Sequence, residues 1–500
     1  MEVELDGGET GTMLGYHSLN APTSRKMAGT ALNTGLMARS FSSLDRVHRT
    51  CQTSSMNSLP WLAGVLSLSL PIFAADDTIH TFKKLHVSEH FWSEGASVGD
   101  FNRDGKMDVV SGPYWYEGPD FTTKHEFAPA TKSFTRKKAD GSEEKIPGFK
   151  GALSKENEYS ENFLAFTYDF NRDGWTDILI LGFPGKESWW FENPKGGTGH
   201  WKQHVAVDAT DNESPTFADL TGDGKPELIF HTRLKEGTNS VSYLGYAEPN
   251  WDHPNDKWTF HKLSTPGKWH WFNHGYGHGD VNGDDREDIL EKDGWWEQPA
   301  SLAGDPVWKQ HKVNFGTGGA QMYAYDVNGD GLNDVITSLA AHGYGLAWYE
   351  QLKERNGDGE IQFKSHTFLN KEANENKYGV HFSQLHAIDL VDMDGDGLKD
   401  IVTGKRFWAH GPSGDPEPNA APVLYWFKLV RQADKSVDFI PYLIDENSGI
   451  GTQVLATDVN GDGLPDIVVG NKRGTFVHLH QAAKVSHAEW EKAQPKPLGK

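Results

Sequence analysis

Seven copies of one nine-residue pattern constrain this chain more than anything else in it. The last copy is the plainest: Asp458-Val459-Asn460-Gly461-Asp462-Gly463-Leu464-Pro465-Asp466, followed by the apolar Ile467-Val468-Val469. Oxygen-bearing side chains stand at the first, third, fifth and ninth positions. A glycine at the sixth permits the sharp turn that gathers them. A hard cation such as Ca²⁺ takes roughly six to eight oxygens, and a loop of this kind supplies them. The β-branched run that follows sets the loop between strands.

The copies start at Asp100, Asp169, Asp219, Asp280, Asp326, Asp392 and Asp458, with steps of 46 to 69 residues. A unit recurring at such a period marks a solenoid, a propeller or an array. Five copies are complete: Asp100/Asn102/Asp104/Asp108, Asp169/Asn171/Asp173/Asp177, Asp326/Asn328/Asp330/Asp334, Asp392/Asp394/Asp396/Asp400 and Asp458/Asn460/Asp462/Asp466. The third reads Asp219/Thr221/Asp223/Glu227. The fourth reads Asp280/Asn282/Asp284/Asp288, with Asp285 where the turn glycine belongs. These two are expected to hold an ion less firmly. Asx-turns alone also fold such loops, but seven aligned copies favour several bound Ca²⁺ ions.

Each repeat carries further strand signals. An apolar run follows the loop, as in Asp177-Ile178-Leu179-Ile180. Then come an aromatic strand, as in Trp189-Trp190-Phe191-Glu192, and an alternating strand, as in Trp201-Lys202-Gln203-His204-Val205. The 18 Trp and 54 Gly residues fit short strands joined by turns. The Trp rings are expected to fill the space between adjacent sheets. The segment His80-Thr81-Phe82-Lys83-Lys84-Leu85-His86-Val87 reads as a fourth strand that precedes the first loop, and the last repeat has only three strands. The N-terminal strand therefore completes the last sheet. The expected fold is all-β, a seven-bladed β-propeller closed by its N-terminal strand, over residues 76–481.

The net charge of −22 excludes a general nucleic-acid binder. The single cysteine, Cys51, precedes the repeats, so the repeats contain no disulfide. Residues 1–75 read as a presequence. The run from Leu59 to Ala75 is too short for a comfortable transmembrane helix and resembles the apolar core of a secretory signal. A start at Met37 or Met56 would be more ordinary for such a signal. The expected protein is secreted, periplasmic or held at the cell envelope, with no transmembrane anchor once the signal is cleaved. Residues 482–500 read as a polar tail.

The Asp loops, each followed by a strand and then by a strand like Trp190-Phe191-Glu192-Asn193-Pro194, resemble the FG-GAP/VCBS repeats of secreted bacterial propellers and integrin α-subunits. That resemblance implies the propeller and its cations, and leaves the activity open. A lesser resemblance, carried by His381-Phe382-Ser383-Gln384-Leu385-His386 leading into the loop at Asp392, is to the propeller of aldos-2-ulose dehydratases. It implies a sugar ligand. The cupin domains of that family are missing here, and with them any expectation of isomerase chemistry.

In a propeller the residues before each innermost strand face the mouth opposite the ion loops. Six residues before each first Asp stand Glu94, Phe163, Glu213, His274, Ala320, His386 and Thr452. The loops after the second strands add His231, Arg233, His342, Lys405, Arg406, Asn471, Lys472 and Arg473 at that mouth. This collection suits an anionic or polyhydroxyl ligand. His274 and His386, with Glu94 or Glu213, are candidates for a second metal ion such as Zn²⁺. Alternatively His274, His386, Glu94, Glu213, Lys405 and Arg406 supply a base and an enolate-stabilising cation. A solvated funnel of unlinked polar residues is the plain alternative. The insertion at 131–162 enters from the mouth side as a candidate lid with a solvated tip. Two functions follow: a calcium-binding module for carbohydrate or an extracellular protein, or a sugar lyase or dehydratase working at the mouth.

Overall fold

A computed structural model describes residues 77–236 and 239–499; the signal-like run and Cys51 lie outside them. Each Asp loop joins two antiparallel strands, and the outer strands follow in order. The sixth repeat shows the pattern: Ile388–Val391, Asp400–Gly404, Leu424–Arg431 and Val437–Asp445, each hydrogen-bonded to the next. Equivalent four-strand units begin at Ser97–Gly99, Leu164–Tyr168, Tyr276–Gly279 and Met322–Tyr325. The long strand Lys202–Ala218 serves two units. Its first half ends the second unit and its second half opens the third, with an irregularity between Asp211 and Thr216.

The last unit holds Leu455–Thr457, Asp466–Asn471 and Gly474–Lys484, and its outer strand is Thr78–Ser88 from the other end of the chain. Thr78 pairs with Lys484 and His86 with Phe476. This pairing covers the edge that Gly474–Lys484 would otherwise expose.

The second strand of each unit is apolar and buried on both faces, and its side chains pack between neighbouring units. Val110 and Trp115 meet Ile178 and Phe191. Leu179 and Trp190 meet Leu228 and Phe230, and Ile229 and Leu244 meet Ile289 and Trp296. Leu290 and Trp295 meet Val335 and Ala347. Ile336 and Trp348 meet Ile401 and Phe427, and Val402 and Trp426 meet Ile467 and Phe476. The last cluster joins Val468 and Val477 back to Val109 and Tyr116. The contacts run round a cycle, as in a β-propeller. The Trp rings lie inside these clusters, as the sequence suggested: Trp190, Trp295 and Trp426 are at most 1% exposed.

Several third-strand rings also stack on a histidine of the fourth strand, Trp190 on His204 at 4.2 Å and Trp295 on His311 at 4.0 Å. The same histidines contact Glu192 at 2.9 Å and Glu297 at 2.7 Å. The repeated Trp-x-Glu is thus a cross-strand device that fixes register and uses both faces of the strand.

Two segments outside the four-strand units carry structure of their own, the first being the insertion at 131–162. Ser133–Lys137 and Glu143–Pro147 form a hairpin, and the following residues dock, with Phe149 N–H donating to the Phe91 carbonyl at 2.8 Å. At the C-terminus the last strand runs to Lys484. A short helix, His487–Ala493, follows, with Ser486 and Glu489 forming a capping box. Its local capping signal overrides the polar composition. Among the described residues no helix is long and apolar enough to cross a membrane.

The fourth loop shows what the missing glycine does. Asp285 adopts φ 64°, in the left-handed region where Gly463 sits at 85°. Its N–H donates to Asp280 Oδ2 at 2.9 Å, as that of Gly463 does to Asp458 at 2.8 Å. The turn forms at a steric cost that glycine avoids. Asp285→Gly should therefore stabilise the protein by about 1 kcal/mol in urea unfolding. A neutral or negative change would show that Asp285 makes a contribution outside the turn.

Candidate functional site

The seven Asp loops and the opposite mouth are separate chemistries. In the last loop, Asp458 Oδ1 accepts from the N–H of Gly461 at 2.7 Å and of Asp462 at 3.2 Å, and Asp458 Oδ2 accepts from Gly463. Asn460 Oδ1 also accepts from Asp462 N–H, at 2.9 Å. The first and third side chains thus curl round one backbone amide, and the loop is preformed.

The expected cage of oxygens is not uniform round the ring. Among the described residues, the sixth loop alone brings three carboxylates together: Asp392, Asp394 and Asp400 offer oxygens within 4.8 Å of one another. The third-position oxygens also serve the backbone, in the sixth loop too, where Asp394 Oδ1 accepts from Asp396 N–H at 3.3 Å. Asn102, Asn171, Asn282 and Asn328 accept from the N–H groups of Asp104, Asp173, Asp284 and Asp330 at 2.9–3.1 Å. The fifth-position carboxylates do the same. Asp104, Asp173, Asp223 and Asp330 each accept, at 2.9–3.0 Å, from the N–H two residues on. Lys106, Lys195, Lys225 and Lys353 then lie against those four carboxylates.

Asn102, Asp104, Asn171, Asp173, Asp223, Asn282, Asn328 and Asp330 thus each spend one oxygen lone pair on the backbone while remaining candidate ligands. The physical reason is local, since a short side-chain oxygen two residues from a backbone N–H closes an Asx-turn. An amide oxygen keeps a second lone pair and a carboxylate a second oxygen, so these loops can still coordinate. They must first displace the lysines, whose side chains are 32–70% exposed and held on the solvent side.

The ninth position has a second job. Asp466 is fully buried, and its oxygens accept from Val459 N–H at 3.0 Å and from His480 N–H at 2.7 Å, tying the loop to the third strand. Asp108, Asp177, Asp288, Asp334 and Asp400 make the same clasp to Gly118, Asn193, Gln298, Gln351 and Leu429. Glu227 instead reaches back to Leu220 and Thr221.

Burial, aided by the loop's other carboxylates, pushes these groups up. Asp108 and Asp466 lie at about 6, and Glu227, Asp288 and Asp334 at about 7. Asp177 and Asp400 lie at about 8. Lys428 rests on the sixth loop, against Asp394 and, at 3.0 Å, Asp396. Arg286 rests likewise on Asp284 of the fourth loop.

The mouth is built from two sets of residues. Glu94, Glu213, His274 and His386 stand at or beside the starts of innermost strands, and His342, Lys405, Arg406 and Lys472 follow the second strands. The structure sorts them into two clusters. Arg406, 1% exposed, donates from Nη2 to Glu94 Oε2 at 2.9 Å and from Nη1 to Glu213 Oε2 at 3.1 Å. Burial opposes the guanidinium charge, yet the two glutamates hold it above its ordinary value. Lys472 lies 4.0 Å from Glu94 Oε1 and donates to Asn157 and to the Trp408 carbonyl. Lys405 donates to Ser383 Oγ at 2.7 Å. Burial lowers both amines to about 8.

The second cluster is histidine. His274 Nε2 lies 3.2 Å from His342 Nε2, and the His386 ring centroid lies 4.5 Å from that of His342. Burial first, then neighbouring cationic or imidazole groups, lowers His274 and His342 to about 3 and His386 well below its usual range. Asp415 Oδ1 sits 3.5 Å from His342 Nδ1 and accepts from His410 Nδ1 at 2.8 Å.

The glutamates and histidines that sequence reasoning grouped together are therefore divided: Glu94 and Glu213 serve Arg406, and the carboxylate beside the histidines is Asp415. Phe163, Ala320 and Thr452 are packed and buried. His231 is buried against Tyr276 and the His270 carbonyl, and Arg233 pairs with Asp211. Sequence reasoning missed His410 and Asp415. Their signal was the length of the connection from Gly404 to Leu424, rich in turn residues at His410-Gly411-Pro412-Ser413-Gly414-Asp415. It also left out Asn157 and Tyr159. Tyr159 covers the Lys472 amine at 4.4 Å.

Comparison with known proteins adds the repeat family. Residues 169–230 match the FG-GAP-like repeat, and residues 450–486 match the FG-GAP repeat. No curated protein matches. Solved structures with similarity include rhamnogalacturonan lyase YesW (13% identity, 80% of this chain and 72% of that one, TM-score 0.34). The exotype rhamnogalacturonan lyase YesX (13%, 80% and 72%, 0.36) and the Bacillus licheniformis rhamnogalacturonan lyase PL11 (14%, 80% and 72%, 0.34) are similar to the same degree.

Proposed function

We propose that this FG-GAP-repeat chain is an exported, calcium-stabilised, seven-bladed propeller whose mouth binds carbohydrate, with acidic sugars preferred. The observation that carries the reading is Arg406, Lys405 and Lys472 gathered under one mouth of a protein with net charge −22. Glu94 and Glu213 balance Arg406 and Lys472, so the attraction for an anionic or hydroxyl-rich ligand falls to Lys405 and to the donors at the rim. His342 and His410, which reach the surface, and Asp415 beneath them supply directional hydrogen bonds.

The Asp loops fit Ca²⁺ by their donors. Each carries oxygen side chains at four positions of one tight turn, and the ninth carboxylate, raised by burial and then by its acidic neighbours, would be relieved by a divalent ion. The ion would brace each loop against its strands. Within the same reading the mouth holds a second metal ion.

Titration of the purified chain with acidic and neutral oligosaccharides tests this. We expect binding of uronate-bearing oligosaccharides, weakened at least tenfold by His410→Ala with Lys405→Met, at an effect of about 1.4 kcal/mol or more. Binding that ignores these substitutions, or no binding of any oligosaccharide, would leave a macromolecular partner as the better reading.

A second reading is favoured by the amines lowered to about 8 and the imidazoles held neutral beside a guanidinium. Such groups suit proton abstraction next to a carboxylate, as in a sugar lyase or dehydratase. An unsaturated product detected by its ultraviolet absorbance, and abolished by His342→Gln, would establish it.

A further inference from the structure

We propose that His274, His342 and His386 form a site for one borderline divalent metal ion of the Zn²⁺ class, separate from the Asp loops. The inference deepens the second-metal reading of the mouth and rests on it, but not on the identity of any sugar. Three observations carry it.

The first is spacing. His274 Nε2 and His342 Nε2 are 3.2 Å apart. Two nitrogens at Zn–N distances of about 2.0–2.1 Å in a tetrahedron stand about 3.3 Å apart. All three imidazoles offer nitrogens within 4.8 Å of one another, so a small shift of His386 completes the set.

The second is the fate of the remaining lone pairs. His386 is 1% exposed, and its Nδ1 faces the Gln384 carbonyl at 3.4 Å, which assigns the proton to Nδ1. Its Nε2 then presents a bare lone pair with no hydrogen-bond partner among the described residues. A hydrogen bond between His274 and His342 would satisfy those two nitrogens and leave His386 Nε2 orphaned, at the usual cost of a buried unsatisfied group. A metal ion satisfies all three.

The third is the outer shell. Asp415 Oδ1 lies 3.5 Å from His342 Nδ1, and Asp415 is itself anchored by both the ring and the backbone N–H of His410, each at 2.8 Å. At 3.5 Å the contact is too long for a hydrogen bond; drawn closer on metal binding, a carboxylate behind a ligating histidine orients the ring and raises its basicity.

The donor set also selects the class of metal. Three imidazoles, with both nearby glutamates engaged by Arg406, suit Zn²⁺, Cu²⁺ or Ni²⁺ and not Ca²⁺ or Mg²⁺. His342 and His410 reach the surface, so an ion and a further ligand can enter. Three protein ligands leave a position for a water or a sugar hydroxyl.

The test uses the full chain stripped of metal and dialysed against Zn²⁺ in millimolar Ca²⁺, which occupies the Asp loops. Bound zinc is measured by elemental mass spectrometry, and Co²⁺ substitution reports geometry through its visible absorption. We expect about one Zn²⁺ per chain with a tetrahedral Co²⁺ spectrum. His342→Gln should weaken binding at least tenfold, and Asp415→Asn by about 10–100-fold. The His342 side chain is 32% exposed and His386 is fully buried, so His342→Gln is the milder replacement, and near-ultraviolet circular dichroism checks that each variant is folded. Zinc retained in both variants would overturn the ligand set while sparing a second metal elsewhere. No zinc uptake by the parent would overturn both.

Discussion

Replacing Arg406 with alanine should lower stability by about 3–5 kcal/mol, the largest effect expected of any substitution at the mouth. The reason is what remains behind. Glu94 is fully buried and Glu213 nearly so, and both direct their Oε2 atoms at this guanidinium. Without it two carboxylates sit in a low-dielectric floor with only Lys472, 4.0 Å from Glu94, to answer them. Arg406→Lys should recover little, because one ammonium cannot reproduce the forked contacts to two acids. Arg406→Met with Glu94→Gln and Glu213→Gln should recover much of the loss, since the three opposed charges are then removed together. Urea unfolding of the set decides it. A single Arg406→Ala variant within about 1 kcal/mol of the parent would mean that water already solvates the cluster.

The second large effect is that of calcium, and it should depend on pH. Adding Ca²⁺ should raise the melting temperature and a chelator should lower it, because the ion binds folded loops and not the open chain. One loop at a hundredfold excess over its dissociation constant contributes about 2.7 kcal/mol. The ninth-position carboxylates give the sign. Their native values, from about 6 for Asp108 to about 8 for Asp400, lie above those of the unfolded chain. The native state therefore holds protons that the unfolded chain has lost. Without the ion, these groups favour folding at low pH, and that contribution disappears as pH rises from the usual carboxylate range through about 6 to 8. Calcium needs the ionised form, so its stabilising effect should grow over the same interval. Calorimetry with and without chelator at pH 5 and pH 8 reads it directly. No gain at either pH would leave the loops as Asx-turns that fold without a cation, and equal gains would mean that the ion binds without competing with these protons. Within the set, the loops at Asp219 and Asp280 should be the weakest by their departures from the pattern, and cations compete for the loops at Asp280 and Asp392. Arg286 sits tightly on Asp284, and Lys428 bridges Asp394 and Asp396, so an ion there must break the firmer contacts.

These two expectations draw on different levels of the protein. The Asp loops were legible in the sequence because everything that shapes them is local. The turn, its backbone hydrogen bonds and the clasp from the ninth position span a few residues, and their spacing survives in the linear pattern. What the spacing did not tell was which way each side chain turns. Asn102 and Asp104 stand at the positions of ligands, yet both close on the backbone. The strand that closes the ring was also legible, since Thr78–Ser88 precedes the first loop and the last repeat lacks a fourth strand.

The mouth was legible only as a rim. Counting back from each loop identified Glu94, Glu213, His274 and His386, because strand direction fixes which end of a sheet they occupy. It said nothing of which residues meet. That depends on the irregularity in Lys202–Ala218, which sets Glu213, and on the long connection that carries His410 and Asp415. It depends also on where the buried charge of Arg406 finds its counter-ions. Charge pairing in a desolvated floor is a property of distances across sheets, and here it drew both glutamates to Arg406 and left three imidazoles to each other. Local chemistry therefore determined the repeat, the turn and the ring of strands. Tertiary packing alone decided the partners, because residues 312 positions apart, such as Glu94 and Arg406, share no local signal.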